Sequence, residues 1–218
     1  VDARVARDTR LQPAGRYDAL SQYVSTEVLV PSHDGAKVPL SIVHRRGLKL
    51  DGSNPTLLYG YASYGMTEEP WFSSWRLAWL ERGGVFAVAN PRGSGAFGYD
   101  WYKAGYQATK PNTWKDFIAT AEYLIGKRYT SPAKLGIYGG SAGGILVGRS
   151  VTERPDLFAA AVSAVGVSDA VRAELTPNGV PNIPEFGTHK TEAGFRALLE
   201  MSTYHHIRDG KAYPAVMF

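Results

Sequence analysis

The segment Gly139-Gly140-Ser141-Ala142-Gly143-Gly144 is the part of this 218-residue chain most clearly built for chemistry. A serine hydroxyl attacks a carbonyl only when it is exposed, oriented and relieved of its proton. The pattern G-x-S-x-G puts a serine on a sharp corner between a strand and a helix, where small neighbours let the chain double back. The flanking sequence agrees with that context. Residues 134–138 (KLGIY) read as a short strand, and residues 142–153 read as a helix stopped by Pro155. Ser141 is therefore the candidate nucleophile, standing above the carboxyl edge of a sheet, where α/β proteins place their ligands. The N–H of Ala142 opens the following helix and is the first candidate donor to a developing oxyanion. The bland alternative is a Gly-rich turn with an incidental serine, and the matching strand and helix weigh against it.

Such a serine needs an acid and a histidine, which follow it in chain order in this kind of site. After Ser141 come Asp156, Asp169 and Asp209, and His189, His205 and His206. Asp209 has no histidine behind it. Asp156 sits in the helix-end turn Arg154-Pro155-Asp156-Leu157-Phe158. Asp169 with His205 or His206 is formally possible. The adjacent pair His205-His206 lacks the carboxylate or Cys cluster that a metal site would bring, so no metal is expected. Acyl transfer through a serine requires no organic cofactor either.

A second motif, Gly93-x-Gly95-x-x-Gly98, imitates a dinucleotide fingerprint after the apolar run 85–89. That fingerprint should open a helix directly. Residues 99–110 (YDWYKAGYQATK) carry further small breaks and no helical apolar stripe. A Gly-rich loop at the sheet edge is the expected reading.

The elements that must position Ser141 follow from periodicity. Residues 26–30 and 38–44 form a hairpin around Asp34-Gly35. Strands are then expected at 56–61, 85–89, 134–138, 160–165 and 213–218. Helices are expected at 71–82, 113–125, 142–153 and 192–201. The apolar positions Trp114, Phe117, Ile118, Ala121, Leu124 and Ile125 make 113–125 the cleanest helix, with Thr113 and Asp116 resembling a capping box. A hairpin followed by strands alternating with helices predicts an α/β fold with a mostly parallel central sheet covered on both faces.

Composition narrows the function classes. The chain is 44% hydrophobic and 12% aromatic, which argues against disorder. It has no Cys, so disulfides, thiolate metal sites and a Cys nucleophile are excluded. No apolar run is long enough for a membrane span, and no signal peptide is visible in the first residues. The net charge of +4 is spread along the chain without a basic stripe, so no nucleic-acid partner is expected. The compartment is left open between cytoplasm and periplasm.

Several runs together carry a family resemblance: PSHDGAKVPLSIVHRRGLKLDG at 31–52, LLYGYASYG at 57–65, VFAVANPRGSGAFGYDWYKAG at 85–105, DFIATAEYLIGKRYTSPAKLGIYGGSAGG at 116–144 and RPDLFAAAVSAVGVSD at 154–169. From about residue 22 to 218 the chain resembles the prolyl oligopeptidase family of serine peptidases. The resemblance implies a catalytic domain of the α/β-hydrolase fold over residues 21–218, incomplete at its C-terminus. It implies a β-propeller elsewhere in the full-length protein, with residues 1–20 as a linker or arm from it. It implies that short peptides are the substrates. Ser141 matches the nucleophile, and Ala142 matches the position of the oxyanion N–H, where prolyl members usually carry Asn. Tyr61 matches the tyrosine whose hydroxyl is the other oxyanion donor. On its residues alone, Tyr61 reads rather as a packed aromatic with a satisfied hydroxyl.

The specificity segment departs from the family. Prolyl-specific members place a tryptophan about where this chain reads Pro181-Asn182-Ile183-Pro184-Glu185-Phe186-Gly187, and no Trp follows Trp114. Asn182 and Glu185 are the substrate-binding candidates there. Glu185 resembles the acidic residue of members that cleave after Arg or Lys, since a carboxylate in a pocket selects a cation. A surface Glu in a Pro-rich loop is the alternative.

The resemblance also implies that the triad Asp and His lie beyond Phe218, on the same chain or on a second chain completing the domain. An esterase or aminoacyl-peptide hydrolase on the same fold, or a non-catalytic hydrolase-like binding module, are the competing functions. Residues 1–218 alone are expected to be inactive or nearly so. Measurable peptide turnover by that purified polypeptide would refute the expectation and return Asp169 with a nearby histidine to the mechanism.

Overall fold

The computed structural model describes residues 20–218, so the arm expected over residues 1–20 lies, apart from Leu20, outside the described residues. Nine residues of β1 (Tyr23–Pro31) pair antiparallel with β2 (Lys37–Arg45) around the Asp34-Gly35 turn, where Gly35 takes φ 87°. The strands β3 (Thr56–Tyr59), β4 (Val85–Ala89), β5 (Leu135–Gly140), β6 (Ala160–Ala164) and β7 (Ala215–Met217) complete one sheet in the order β1-β2-β4-β3-β5-β6-β7. From β4 to β7 every pairing is parallel, and β2 joins them antiparallel against β4. This is the mostly parallel α/β sheet that the alternating pattern predicts.

Helices lie on both faces. All five residues of β4 are buried, as expected of a strand with helices on either side. Val85, Ala87 and Ala89 join the larger core with α3 (Pro111–Gly126), α4 (Gly143–Glu153) and α6 (Glu192–Met201). Phe86 and Val88 point the other way, to Leu80 and Trp79 of α1 (Ser74–Glu81). The side chains alternate because successive strand residues face opposite sides. No helix among the described residues is long and apolar enough to cross a membrane.

Two local expectations change. Residues 99–110 do contain a helix, α2 (Tyr99–Lys103), which opens directly after Gly98 and is too short to show an apolar stripe. The start of α3 has no capping box: the helix begins two residues earlier, with Pro111 in its first turn. Thr113 and Asp116 are occupied elsewhere. Thr113 Oγ1 donates to the Arg92 carbonyl at 2.7 Å. Asp116, fully buried, takes Arg92 Nε at 2.8 Å, Arg92 Nη2 at 2.7 Å and Ser32 Oγ at 2.5 Å.

Arg92 is the hub that locks the hairpin and α3 to the end of β4. Its Nη1 also donates to Asp34 in the hairpin turn at 2.6 Å. That hydrogen bond draws the Asp34 carboxyl down to about 2. The two acids differ in exposure, since the Asp34 side chain is 42% accessible and that of Asp116 is not accessible at all. Removing one partner of a buried pair strands the other charge, at about 3–5 kcal/mol, whereas an exposed pair is worth about 0–1 kcal/mol. Asp116→Ala is therefore expected to destabilise by the larger amount and Asp34→Ala by the smaller, read from denaturant unfolding. The Asp34 contribution is complete above the ordinary carboxylate pKa and vanishes as pH falls through about 2, so the Asp34→Ala difference should shrink over that range.

Candidate active site

β5 ends at Gly140 and α4 begins at Gly143, so Ser141 and Ala142 form the corner between them. Ser141 has φ 53°, a left-handed conformation that side-chain-bearing residues adopt only under constraint, typically at about 1–3 kcal/mol. The constraint comes from backbone bonds on both sides. The Ser141 N–H donates to the Ala164 carbonyl at 2.9 Å, and the Ser141 carbonyl accepts from Val167 at 3.1 Å and Gly144 at 2.9 Å. These tie the corner to the end of β6. Gly144 must be glycine for this to happen, because a Cβ there would stand 2.4 Å from the Gly166 Cα. Ser141 itself is exposed, while Ala142 behind it is buried. Among the described residues no backbone carbonyl accepts the Ala142 N–H, which precedes the first turn of α4 and is left for a ligand.

Tyr61 follows β3, two residues beyond the end of the strand. Its ring packs against the same corner, where a Cβ on Gly143 would lie 3.5 Å from Tyr61 Cδ2, and the Ser141 hydroxyl is close enough to perturb the phenol. Burial raises the phenol above its ordinary pKa against the opposing effect of Ser141, so it carries its proton at neutral pH and can donate it in a hydrogen bond. Three of the sequence candidates, Ser141, Ala142 and Tyr61, are thus brought together.

The loop that carries Tyr61 is strained as well. Ala62 has φ 54°, Tyr64 φ 59° and Gly65 φ 66°. Here the dinucleotide-like glycines find their use. The Gly65 N–H donates to the Gly93 carbonyl at 3.2 Å. A Cβ on Gly93 would lie 2.4 Å from the Ala62 carbonyl oxygen. The Gly-rich loop is a seat for the tyrosine loop, and its glycines let backbone lie on backbone rather than on phosphate.

The specificity segment also reaches this loop. Asn182 precedes the short helix α5 (Ile183–Phe186), and its Oδ1 accepts from the Tyr64 hydroxyl at 2.5 Å. The Tyr64 ring stands 6.4 Å from the ring of Tyr61 and 5.6 Å from that of Phe186. Glu185 is placed differently from the expectation. Its side chain is only 2% accessible, and its oxygens take the Tyr64 N–H at 2.9 Å, the Tyr102 hydroxyl at 2.6 Å and Lys110 Nζ at 3.5 Å. This carboxylate is buried and paired with an internal ammonium, rather than free on the surface or open to an incoming cation. Lys110, Tyr64 and Tyr102 had no local sequence signal.

The histidines lie elsewhere. Asp169 and His205 do approach, at 3.9 Å, but His205 Nδ1 is shared with the buried Ser202 hydroxyl at 2.8 Å. His206 is bonded to the Ser202 carbonyl, and His189 stands beside Glu174. No histidine makes a hydrogen bond or ion pair with Ser141 among the described residues.

A profile of the Prolyl oligopeptidase family matches residues 70–218. The chain belongs to that family. It is 40% identical over 196 residues to a prolyl endopeptidase of Elizabethkingia meningoseptica, covering 89% of this chain and 28% of that relative. Protease 2 of Moraxella lacunata is 37% identical over 204 residues, covering 92% of this chain and 29% of its own length. A solved structure from a study of two prolyl endopeptidases superposes with a TM-score of 0.88 at 48% identity, covering 89% of this chain and 29% of that one. Oligopeptidase B from Trypanosoma brucei with covalently bound antipain gives a TM-score of 0.85 at 38% identity, over 90% of this chain and 28% of that one. The fold is that of the family's catalytic α/β-hydrolase domain, and the chain spans under a third of the length of these relatives.

The corner itself is testable by packing. Gly144→Ala forces a methyl into the Gly166 backbone, and overpacking of this kind costs about 1–3 kcal/mol. A fall in Tm of several degrees by calorimetry is the expected outcome.

Proposed function

We propose that the protein containing this chain is a serine peptidase that hydrolyses short peptides through an acyl-enzyme on Ser141. The observation that carries the reading is a left-handed serine at a strand–helix corner against which the Tyr61 ring packs. Ser141 Oγ forms a bond to the scissile carbonyl carbon as its proton passes to a base. The carbonyl oxygen becomes an oxyanion, held by the Ala142 N–H and the Tyr61 hydroxyl. The C–N bond then breaks as the leaving amine takes a proton, and water releases the acyl group from Ser141. On this reading the triad Asp and His lie in polypeptide outside residues 1–218, and a β-propeller domain accompanies the catalytic domain in the full-length protein. Membership of the family supports both.

The position that prolyl members give to a tryptophan is filled here by a segment containing Asn182, hydrogen-bonded to Tyr64. With Glu185 buried against Lys110, the side chains that this segment and the tyrosine loop offer next to Tyr61 are a phenol and an amide. We take the site to prefer an uncharged residue before the scissile bond, without a strict demand for proline.

Two measurements on the full-length protein test this. A fluorophosphonate should label Ser141, and the Ser141→Ala variant should not be labelled. Peptides with Ala or Pro before the scissile bond should be cleaved faster than those with Arg or Lys. Turnover of p-nitrophenyl esters alone would make the protein an esterase, and absent labelling would make it a binding module.

A further inference from the structure

The loop over residues 61–65 must hold the Tyr61 hydroxyl at Ser141 while running through left-handed backbone at Ala62 and Tyr64. A free segment in that conformation relaxes, and the phenol would move with it. Two buried charges grip it. The Lys110 side chain is only 1% accessible. Its Nζ donates to the Ala62 carbonyl at 2.7 Å and to Ser63 Oγ at 2.7 Å. Its counter-charge, Glu185, accepts the Tyr64 N–H at 2.9 Å. Each of the three residues after Tyr61 is thus tied to the pair. The second oxygen of Glu185 is fixed by the Tyr102 hydroxyl at 2.6 Å, so the grip is anchored to α2 and α5 together.

A buried ion pair is weak evidence for stability, because an apolar filling often does as well. An apolar filling could not hold the Ala62 carbonyl, the Ser63 hydroxyl and the Tyr64 N–H in place, however. Neither charge contacts Ser141, so neither has a direct part in the chemistry. We propose that the Lys110–Glu185 pair is a positioning device that fixes the Tyr61 hydroxyl where the oxyanion develops. The proposal rests on the serine-peptidase reading and names residues that this reading does not use.

The pair gives the site a pH dependence. Burial lowers the Lys110 ammonium to about 8, with Glu185 opposing the shift. Glu185 is the one charged side chain against Lys110 among the described residues. The Phe186 ring lies 5.6 Å away, and Tyr102, held protonated by burial and by Glu185, shares the carboxylate. Lys110 is therefore cationic at neutral pH and loses its charge as pH rises through about 8, loosening the loop.

The test is a double-mutant cycle in the full-length enzyme. Lys110→Met is expected to lower kcat about 100-fold with KM changed less than about threefold. In a Tyr61→Phe background the same substitution should cost under about threefold, because the donor it positions is gone. Glu185→Gln keeps an acceptor for the Tyr64 N–H and should give an intermediate loss. Wild type should show a decline of kcat near pH 8 that Tyr61→Phe lacks. Equal losses from Lys110→Met in both backgrounds, or a rise in KM alone, overturn the proposal. If Lys110→Met does not fold by circular dichroism, the two pH profiles decide, and an equal decline in both overturns it. If peptides are not substrates, the rate of fluorophosphonate labelling of Ser141 replaces kcat in the same cycle. No labelling of the wild type would overturn the serine-hydrolase reading and the proposal with it.

Discussion

A serine at φ 53° stays in that conformation only while its neighbours deny it any other. The corner is closed on one side by the end of β6, through bonds to Ala164 and Val167, and on the other by the first turn of α4. Those contacts need Gly144 and Gly166 to touch through backbone, so the parallel pairing of β5 with β6 has to be in register before the serine can stand upright. The register of the sheet is thus a requirement of the chemistry, because side-chain direction alternates strictly along each strand.

The tyrosine loop is a second strained segment facing the first, and it is held by different means. Around Ser141 the constraint is mostly backbone hydrogen bonding. Around residues 61–65 it is a pair of buried charges and a glycine seat. Charges reach across space in a way that ladder bonds do not, so a loop beyond the end of a strand can still be gripped. The same carboxylate joins this loop to α5, next to Asn182. The proposed oxyanion donor and the proposed specificity segment therefore share a support, and a change in either would be felt by the other.

Much of this was legible in the sequence, for identifiable reasons. The strands and long helices showed themselves because burial imposes a period on their residues, and the serine corner showed itself because its three parts are adjacent in the chain. What escaped notice was set by distant partners. Thr113 and Asp116 have the spacing of a capping box, but Arg92 claims both, and nothing local signals that claim. Glu185 reads as a free carboxylate until Lys110, far earlier in the chain, is brought beside it. The glycines at 93, 95 and 98 match a phosphate-binding pattern because any close approach to backbone calls for the same residue type. Helix α2 was missed because one turn or so is too short to show a period.

The strand order has a consequence in time. Only β1 and β2 are joined by a tight turn. Every other pairing unites stretches far apart in the chain: β3 lies between β4 and β5, so Leu58 has Ala87 on one side and Ile137 on the other. The hairpin can zip up within microseconds, whereas the centre of the sheet must wait for long loops to close. Until they do, β4 presents five consecutive apolar residues with no neighbour. The chain is thus built to be slow to assemble and adhesive while it does so.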